Sequence, residues 1–351
     1  MTYFDSIKNI KIKEDAIILA VETSCDETAV AIVKGGREIL ADEIISSAPE
    51  HVKFGGVVPE IASRIHTTAI YVATENALKN SGLSFEDIDA VAVTYGAGLL
   101  GALLVGVSFA KALAFSLKKP LIPVSHVRGH VSAGYLTDNS LKPPFISILA
   151  SGGHTAIIAV EDYYKYKILG STIDDAVGEA FDKVARVLKM PYPGGPNVER
   201  LAKDGKNAVE LPKMLKNHDN PFDFSYSGLK TAVINYCHKL EQTGEEINKA
   251  DVACSFQNSA ISVIVEKAIK AIELTGYKTV VVSGGVGANG YLRDLLTQAS
   301  QKKGFKLVLP EKRYCTDNAA MIGAEGYLQY IKRNFADLTL NASAVVGLES
   351  F

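Results

Sequence analysis

The sequence predicts an α/β protein of two lobes, each carrying one copy of a duplicated βββαβα core. Three observations support this. Apolar runs of strand length alternate with stretches of helical spacing along the chain. The pattern restarts after residue 144: Thr28–Val33 (TAVAIV) is matched by Thr155–Val160 (TAIIAV), each a strand beginning with Thr at the end of a polar hairpin. The chain has 351 residues, too many for one simple core. The repeat is far longer than any solenoid period, so it reads as a duplicated domain. The expected lobes are 1–135 and 136–324, with a C-terminal helix over 325–351 returning to the first.

The elements follow in order. Ala16–Val21 is an apolar strand, Glu22–Glu27 a polar turn, Thr28–Val33 a second strand and Ile39–Ser46 a third. Val57–Lys79 has helical spacing, with Pro59 tolerated in its first turn. Ile88–Thr94 is a strand, Gly98–Leu117 a helix and Leu121–Val124 a buried strand that leads into a histidine-bearing helix. In the second half, Phe145–Ala150, Thr155–Val160 and Tyr166–Gly170 are strands. Helices are expected over Asp174–Lys189 and Asn248–Thr275, then a strand at Thr279–Ser283 and a helix after Asn289.

Composition narrows the class. The chain is 47% hydrophobic and 22% charged, with a net charge of -2, so no overall basic excess announces a nucleic-acid binder. The four cysteines, Cys25, Cys237, Cys254 and Cys315, form no C-x-x-C and read as reduced thiols of a cytoplasmic protein. Met1–Glu14 mixes Asp, Lys and Glu without an apolar run and is no signal peptide. Gly98–Leu117 is long enough to span a membrane, but Lys111 near its middle costs about 2.5–3.5 kcal/mol on insertion. A helix buried in a soluble α/β core explains it better, and no membrane partner is expected.

The chemistry centres on Ser125-His126-Val127-Arg128-Gly129-His130. On a helix, His126 and His130 share one face and can hold one divalent metal. Taken alone, the pair is also two ordinary histidines at a helix start. Gly129 between them breaks a local propensity rule and hints at close approach by another element. Asp317, in Thr316-Asp317-Asn318, is either the N-cap of the last helix or the carboxylate that completes a His/His/Asp set suited to Zn or Fe(II). Asp26 lies in the first hairpin turn and Ser151-Gly152-Gly153-His154 forms the second; paired turns of this kind present backbone N–H groups to an anion. Tyr192–Pro196 (YPGGP) and Ser283–Asn289 (SGGVGAN) let backbone approach a ligand, and Asn289 serves either as a cap or as a reader of a sugar or base edge. Gly96–Gly101 is a literal G-x-G-x-x-G, yet the acidic residue expected about twenty positions on is missing, which excludes a dehydrogenase.

Together these motifs resemble the bacterial TsaD (formerly Gcp) family, tRNA adenosine threonylcarbamoyltransferases of the actin-like/Hsp70-like ATPase fold. The matching stretches include Val21–Val33, Gly55–His66, Gly101–Leu113, the H-x-x-G-H pair, Ser151–Thr155, Gly178–Val184, Tyr192–Pro196, Phe224–Thr231, Ser283–Asn289 and Thr316–Met321. The resemblance implies transfer of the threonylcarbamoyl group of threonylcarbamoyl-AMP, made by a separate synthase, to N6 of the adenosine beside the anticodon in tRNAs reading codons that start with A. It implies His126, His130 and Asp317 as ligands of one Fe(II) or Zn(II), and an interlobe cleft for the adenine nucleotide. Leu149, Ala150, Ser151, Gly152, Gly153, Asp182, Gly195, Glu199 and Asn289 would surround the substrate, with Asp26 at the reacting end. It also implies a TsaB-like paralogue and a TsaE-like ATPase as partners.

Three departures stand out. Arg128 replaces the Glu usual between the histidines and would meet a phosphate or the tRNA. Ala97 replaces a Pro, and Glu199 replaces an Asp. The enzymatic rival is a metal-dependent peptidase, but Val127 occupies the place where its general-base Glu would stand. The other rival, a non-catalytic nucleotide-binding scaffold of the actin-like fold, has no evident use for a His/His/Asp set.

Overall fold

The computed structural model describes residues 3–215 and 218–347. Two five-stranded sheets of identical connectivity dominate it. The first has the order β3 (Glu38–Ser46), β2 (Glu27–Lys34), β1 (Ile17–Glu22), β4 (Ala90–Gly96), β5 (Leu121–Ser125), and the second β8 (Lys165–Ser171), β7 (Thr155–Asp162), β6 (Phe145–Ala150), β9 (Thr279–Ser283), β10 (Lys306–Val308). In each, the first three strands are antiparallel neighbours and the last two run parallel to the first. The chain divides into two compact units, Met1–Leu141 with Asp317–Phe351, and Lys142–Thr316.

The first unit opens with α1 (Tyr3–Ile7), β1 (Ile17–Glu22), β2 (Glu27–Lys34), β3 (Glu38–Ser46) and α2 (Ala48–His51). It continues through α3 (Pro59–Ser81), β4 (Ala90–Gly96), α4 (Leu100–Leu117), β5 (Leu121–Ser125) and α5 (His126–Thr137). β1 is central and buried from Ile18 on, and its residues Ile17 to Val21 form an unbroken apolar run. α3 starts at Pro59, whose missing N–H costs nothing in the first turn, and stops at Gly82, which adopts the left-handed conformation with φ 69°.

α4 differs from the buried core helix expected. Ala102, Leu103, Gly106, Val107, Ala110 and Ala114 are buried, while Leu100, Leu104 and Phe115 are exposed. It is the one helix among the described residues long and apolar enough to cross a membrane, and 33% of it is buried. Its Lys111 is absorbed within the unit, donating to the Leu340 carbonyl at 3.0 Å.

The second unit contains β6 (Phe145–Ala150), β7 (Thr155–Asp162), β8 (Lys165–Ser171), α6 (Val177–Val187), α7 (Gly194–Ala202) and α8 (Ser227–Thr243). α9 (Lys249–Thr275), β9 (Thr279–Ser283), α10 (Gly290–Lys303) and β10 (Lys306–Val308) complete it. α8 and β10 escape the sequence reading. α8 opens on Ser-Gly and alternates charge with apolar residues, and β10 is three residues long.

The last helix, α11 (Ala319–Ile331), packs in the first unit against β1 and α5. Against the expected junctions at 135/136 and 324/325, the difference comes from α5 running to Thr137 and from α11 lying wholly on the first sheet. The expected helix over 325–351 is a correction. The helical run ends at Ile331 because Arg333 turns left-handed (φ 60°) and the chain then bridges, through Ala336, to Leu121 on the edge strand. Residues 348–351 lie outside the described residues.

Candidate active site

Two helix starts place the three candidate ligands within the first unit. β5 hands over directly to α5, so His126 is the first helical residue and His130 lies one turn on. At α11, Asn318 takes the cap: its side chain accepts from the Met321 N–H at 2.9 Å. The cap reading of Asp317 is thereby corrected, and its carboxylate turns to the histidines instead. Asp317 Oδ1 lies 3.4 Å from His126 Nε2 and 3.3 Å from His130 Nε2. One ligand atom from each residue falls within 4.8 Å of the others. The two imidazoles meet edge to face, with centroids 4.6 Å apart.

The donor set fits a cation. Both ring nitrogens of His130 are buried and lack a well-formed hydrogen bond among the described residues. A buried polar atom left so is costly, and a metal ion would satisfy Nε2. Gly129 explains itself here: a Cβ on it would stand 2.7 Å from Ile322 Cδ1 on α11. A side chain at 129 would displace the tip of Ile322 where α11 passes α5.

A further layer orients His126. Its Nδ1 lies 3.1 Å from Glu22 Oε2 and 3.1 Å from Ser24 Oγ. Glu22 is fully buried at the end of β1, accepts from Thr94 Oγ1 at 2.6 Å and accepts from the Ser24 N–H. A cation would displace the proton from Nε2 and leave the Nδ1–H donating to Glu22, the arrangement a ligating imidazole needs. Burial pushes the His126 imidazole down, but the Asp317 and Glu22 carboxylates outweigh it and lift it to about 9. For His130 burial wins and the shift is downward. Burial favours the neutral form of Glu22, and His126 more than offsets this, holding it low. Glu22, Ser24 and Thr94 are missing from the sequence-predicted set. The signal was a Glu closing an otherwise wholly apolar central strand.

Asp26 sits 8% exposed in the β1–β2 turn. That turn is clasped from several sides. Ser47 donates from both N and Oγ to the Asp26 carbonyl, at 2.9 and 2.8 Å, and Ser47 Oγ lies 3.0 Å from His51 Nε2. His66 bridges Thr28 Oγ1 at 2.7 Å and the Cys25 carbonyl at 2.9 Å. Leu99 donates to the Ser24 carbonyl at 2.8 Å, and a Cβ on Gly98 would lie 2.6 Å from the same oxygen. The G-x-G-x-x-G stretch thus braces this turn. Burial, then the adjoining Asp26, lift Glu27 to about 9, so it keeps its proton at neutral pH.

Arg128 is a correction. It does not face phosphate or tRNA: it is 2% exposed, and its Nε donates to Glu325 Oε1 at 2.8 Å.

In the second unit the nine substrate-site candidates gather around the end of β6. Leu149 and Ala150 close that strand, and Ser151–Gly153 form the turn, where Cβ atoms on Gly152 and Gly153 would meet nothing within 4 Å. Gly178 at the start of α6 donates to the Ser151 carbonyl at 3.1 Å. Gly284 after β9 (φ 86°) would place a Cβ 2.4 Å from the Ala150 carbonyl oxygen. Asp182 Oδ1 accepts from Gly194 N at 2.8 Å, which fixes the start of α7, and Gly195 beside it is open. Glu199 Oε1 accepts from Gly290 N at 3.0 Å. Asn289 caps α10 through Leu292 N and donates to Gln257 Oε1, so its amide is oriented at both ends. Gln257 is an addition that no motif singled out, whereas Gly178 and Gly284 lie in the Gly178–Val184 and Ser283–Asn289 stretches already named.

Comparisons with known proteins give the family. The family model for TsaD, tRNA N6-adenosine threonylcarbamoyltransferase, matches residues 38–324. A tRNA N6-adenosine threonylcarbamoyltransferase of Clostridium perfringens is 51% identical over 327 residues, covering 93% of this chain and 96% of the relative. One of Clostridium novyi is 49% identical over 94% of this chain and 97% of its own length. Among solved structures, HypF of T. kodakarensis superposes with a TM-score of 0.64 at 14% identity, over 93% of this chain and 49% of that one. A full-length HypF structure gives 0.62 at 17%, over 92% and 47%. These likenesses, with the duplicated sheet order, establish the actin-like fold. By its sequence match, its relatives and the site its two helix starts build, this chain belongs to the TsaD family of tRNA N6-adenosine threonylcarbamoyltransferases.

Proposed function

We propose that the protein transfers the threonylcarbamoyl group of threonylcarbamoyl-AMP to N6 of the adenosine beside the anticodon in tRNAs reading codons that start with A, releasing AMP. The observation that carries this reading is the meeting of His126 Nε2, His130 Nε2 and Asp317 Oδ1 in a TsaD-family chain. These three atoms would hold Fe(II) or Zn(II). Bound there, the ion supplies Lewis-acid polarisation of the carbamoyl carbonyl and neutralises charge on the leaving phosphate.

The chain's own residues do the rest. Glu22 holds His126 in the tautomer that offers Nε2. Asp26 takes the reacting end: the N6–carbon bond forms, the bond from that carbon to the adenylate's phosphate oxygen breaks, and the N6 proton passes to Asp26. Protonated Glu27 beside it supplies a hydrogen bond to that carboxylate. Leu149–Gly153, Asp182, Gly195, Glu199 and Asn289 hold the adenylate, with the open backbone at Gly152, Gly153 and Gly195 admitting phosphate or ribose. Because the substrate arrives activated, no Ser or Cys nucleophile is required. In this reading the protein works in the cytoplasm with a TsaB-like paralogue and a TsaE-like ATPase.

The test is reconstitution. Protein, partner proteins, tRNA and threonylcarbamoyl-AMP are expected to yield threonylcarbamoyladenosine, detected by mass spectrometry of digested tRNA. A complete mixture that yields none overturns the reading.

A further inference from the structure

We propose that Arg128, Ser132, Glu325 and Gln329 form a latch that sets how α5 crosses α11, and so positions His126 and His130 against Asp317. The proposal rests on the reading of those three residues as a metal centre.

The quartet joins the two ligand-bearing helices at a second point. Arg128 and Ser132 lie one turn apart on α5, and Glu325 and Gln329 one turn apart on α11. Glu325 is fully buried and takes three donors: Arg128 Nε at 2.8 Å, Ser132 Oγ at 2.6 Å and Gln329 Nε2 at 2.6 Å. Helical geometry places Arg128 and Ser132 on one flank of Gly129 and the two histidines on the other. Gly129 itself is the contact, with α11 passing at its backbone through Ile322 and Met321. The Ile322 and Met321 side chains fill the space over Gly129, and such apolar contacts fix no single rotation. The latch on one flank is directional, and Asp317, just ahead of α11, meets the histidines on the other.

A buried ion pair is a poor stabiliser, since apolar residues of similar volume often do as well or better. Directional partners instead fix one arrangement, and a metal centre needs its ligand atoms placed to a few tenths of an ångström. Arg128 and Glu325 are therefore positioning residues: their bond to each other joins α5 to α11 away from His126 and His130.

The experiment compares wild type, His126→Ala and the double variant Arg128→Met/Glu325→Leu, which removes both charges at similar volume. Thermal unfolding is read without added metal, Zn(II) affinity by competition with a chelator, and geometry by the visible spectrum of the Co(II)-loaded protein. The double variant is expected to melt at or above wild type, to bind Zn(II) about tenfold more weakly and to show altered Co(II) bands. Wild-type affinity and an unchanged spectrum in the double variant, while His126→Ala loses binding, overturn the latch alone. Unaltered binding in His126→Ala overturns the metal centre, and the latch with it. If the double variant does not fold, Ser132→Ala carries the test: about threefold weaker binding is expected, and wild-type binding overturns the latch.

Discussion

The ends of the two sheets share a backbone plan and differ in what they carry. After β1 the turn holds Glu22, Asp26 and Glu27 and is braced by His51 and His66, and α5 adds His126 and His130. After β6 the corresponding turn is Ser151-Gly152-Gly153, surrounded by Gly178, Gly284 and the α7 and α10 starts. One hairpin has gathered titratable donors and the other backbone. The difference teaches that a duplicated scaffold can separate tasks by composition: in the proposed reading the charged side chains would fix and tune a cation, whereas the small residues would expose N–H groups to an anion.

Breaking the charged side should have the largest effect. Asp317→Ala is expected to lower bound metal and tRNA modification together, each by more than about 100-fold, beyond the range of outer partners; metal analysis and the transfer assay check this. Full metal content in that variant would remove Asp317 from the triad. Glu22→Gln, which weakens the partner of His126 Nδ1, should cost about 10–100-fold in metal affinity while the fold survives.

The glycine side breaks differently. Gly284→Ala forces a Cβ 2.4 Å from the Ala150 carbonyl oxygen at φ 86°, so the protein should lose about 1–3 kcal/mol of stability with metal affinity unchanged. Gly152→Ala meets open space and should shift stability by less than about 0.5 kcal/mol, yet raise KM for threonylcarbamoyl-AMP. An unchanged KM would show that the second turn is not a substrate loop.

A pH profile sharpens the electrostatic half of the contrast. Glu27 is raised to about 9, above the usual carboxylate value, so its proton favours folding at low pH and that contribution fades as pH climbs from about 4.5 through 9. Glu27→Gln should flatten the decline of melting temperature over that window. An identical decline in both proteins would show that Glu27 is already ionised in the fold.

What was legible in the sequence follows from how local each signal is. Strands with apolar runs, helices with a Pro start or Gly stop, and the i, i+4 histidines are written within a few residues of one another. Glu22, Thr94 and Ser24 are brought together only when β1 pairs with β4, and no short window contains them. The break at Arg333 carries no local signal, since no Gly or Pro follows α11 before Gly347. Arg128 was assigned to phosphate or tRNA because its counter-charge, Glu325, lies nearly two hundred positions away.

Asn318 has a consequence beyond its own hydrogen bond. The cap of the last helix is made by its amide and not by the Asp317 carboxylate. A change at 317 would therefore leave that cap in place, and any metal lost with it would be lost from a segment whose first turn is still closed.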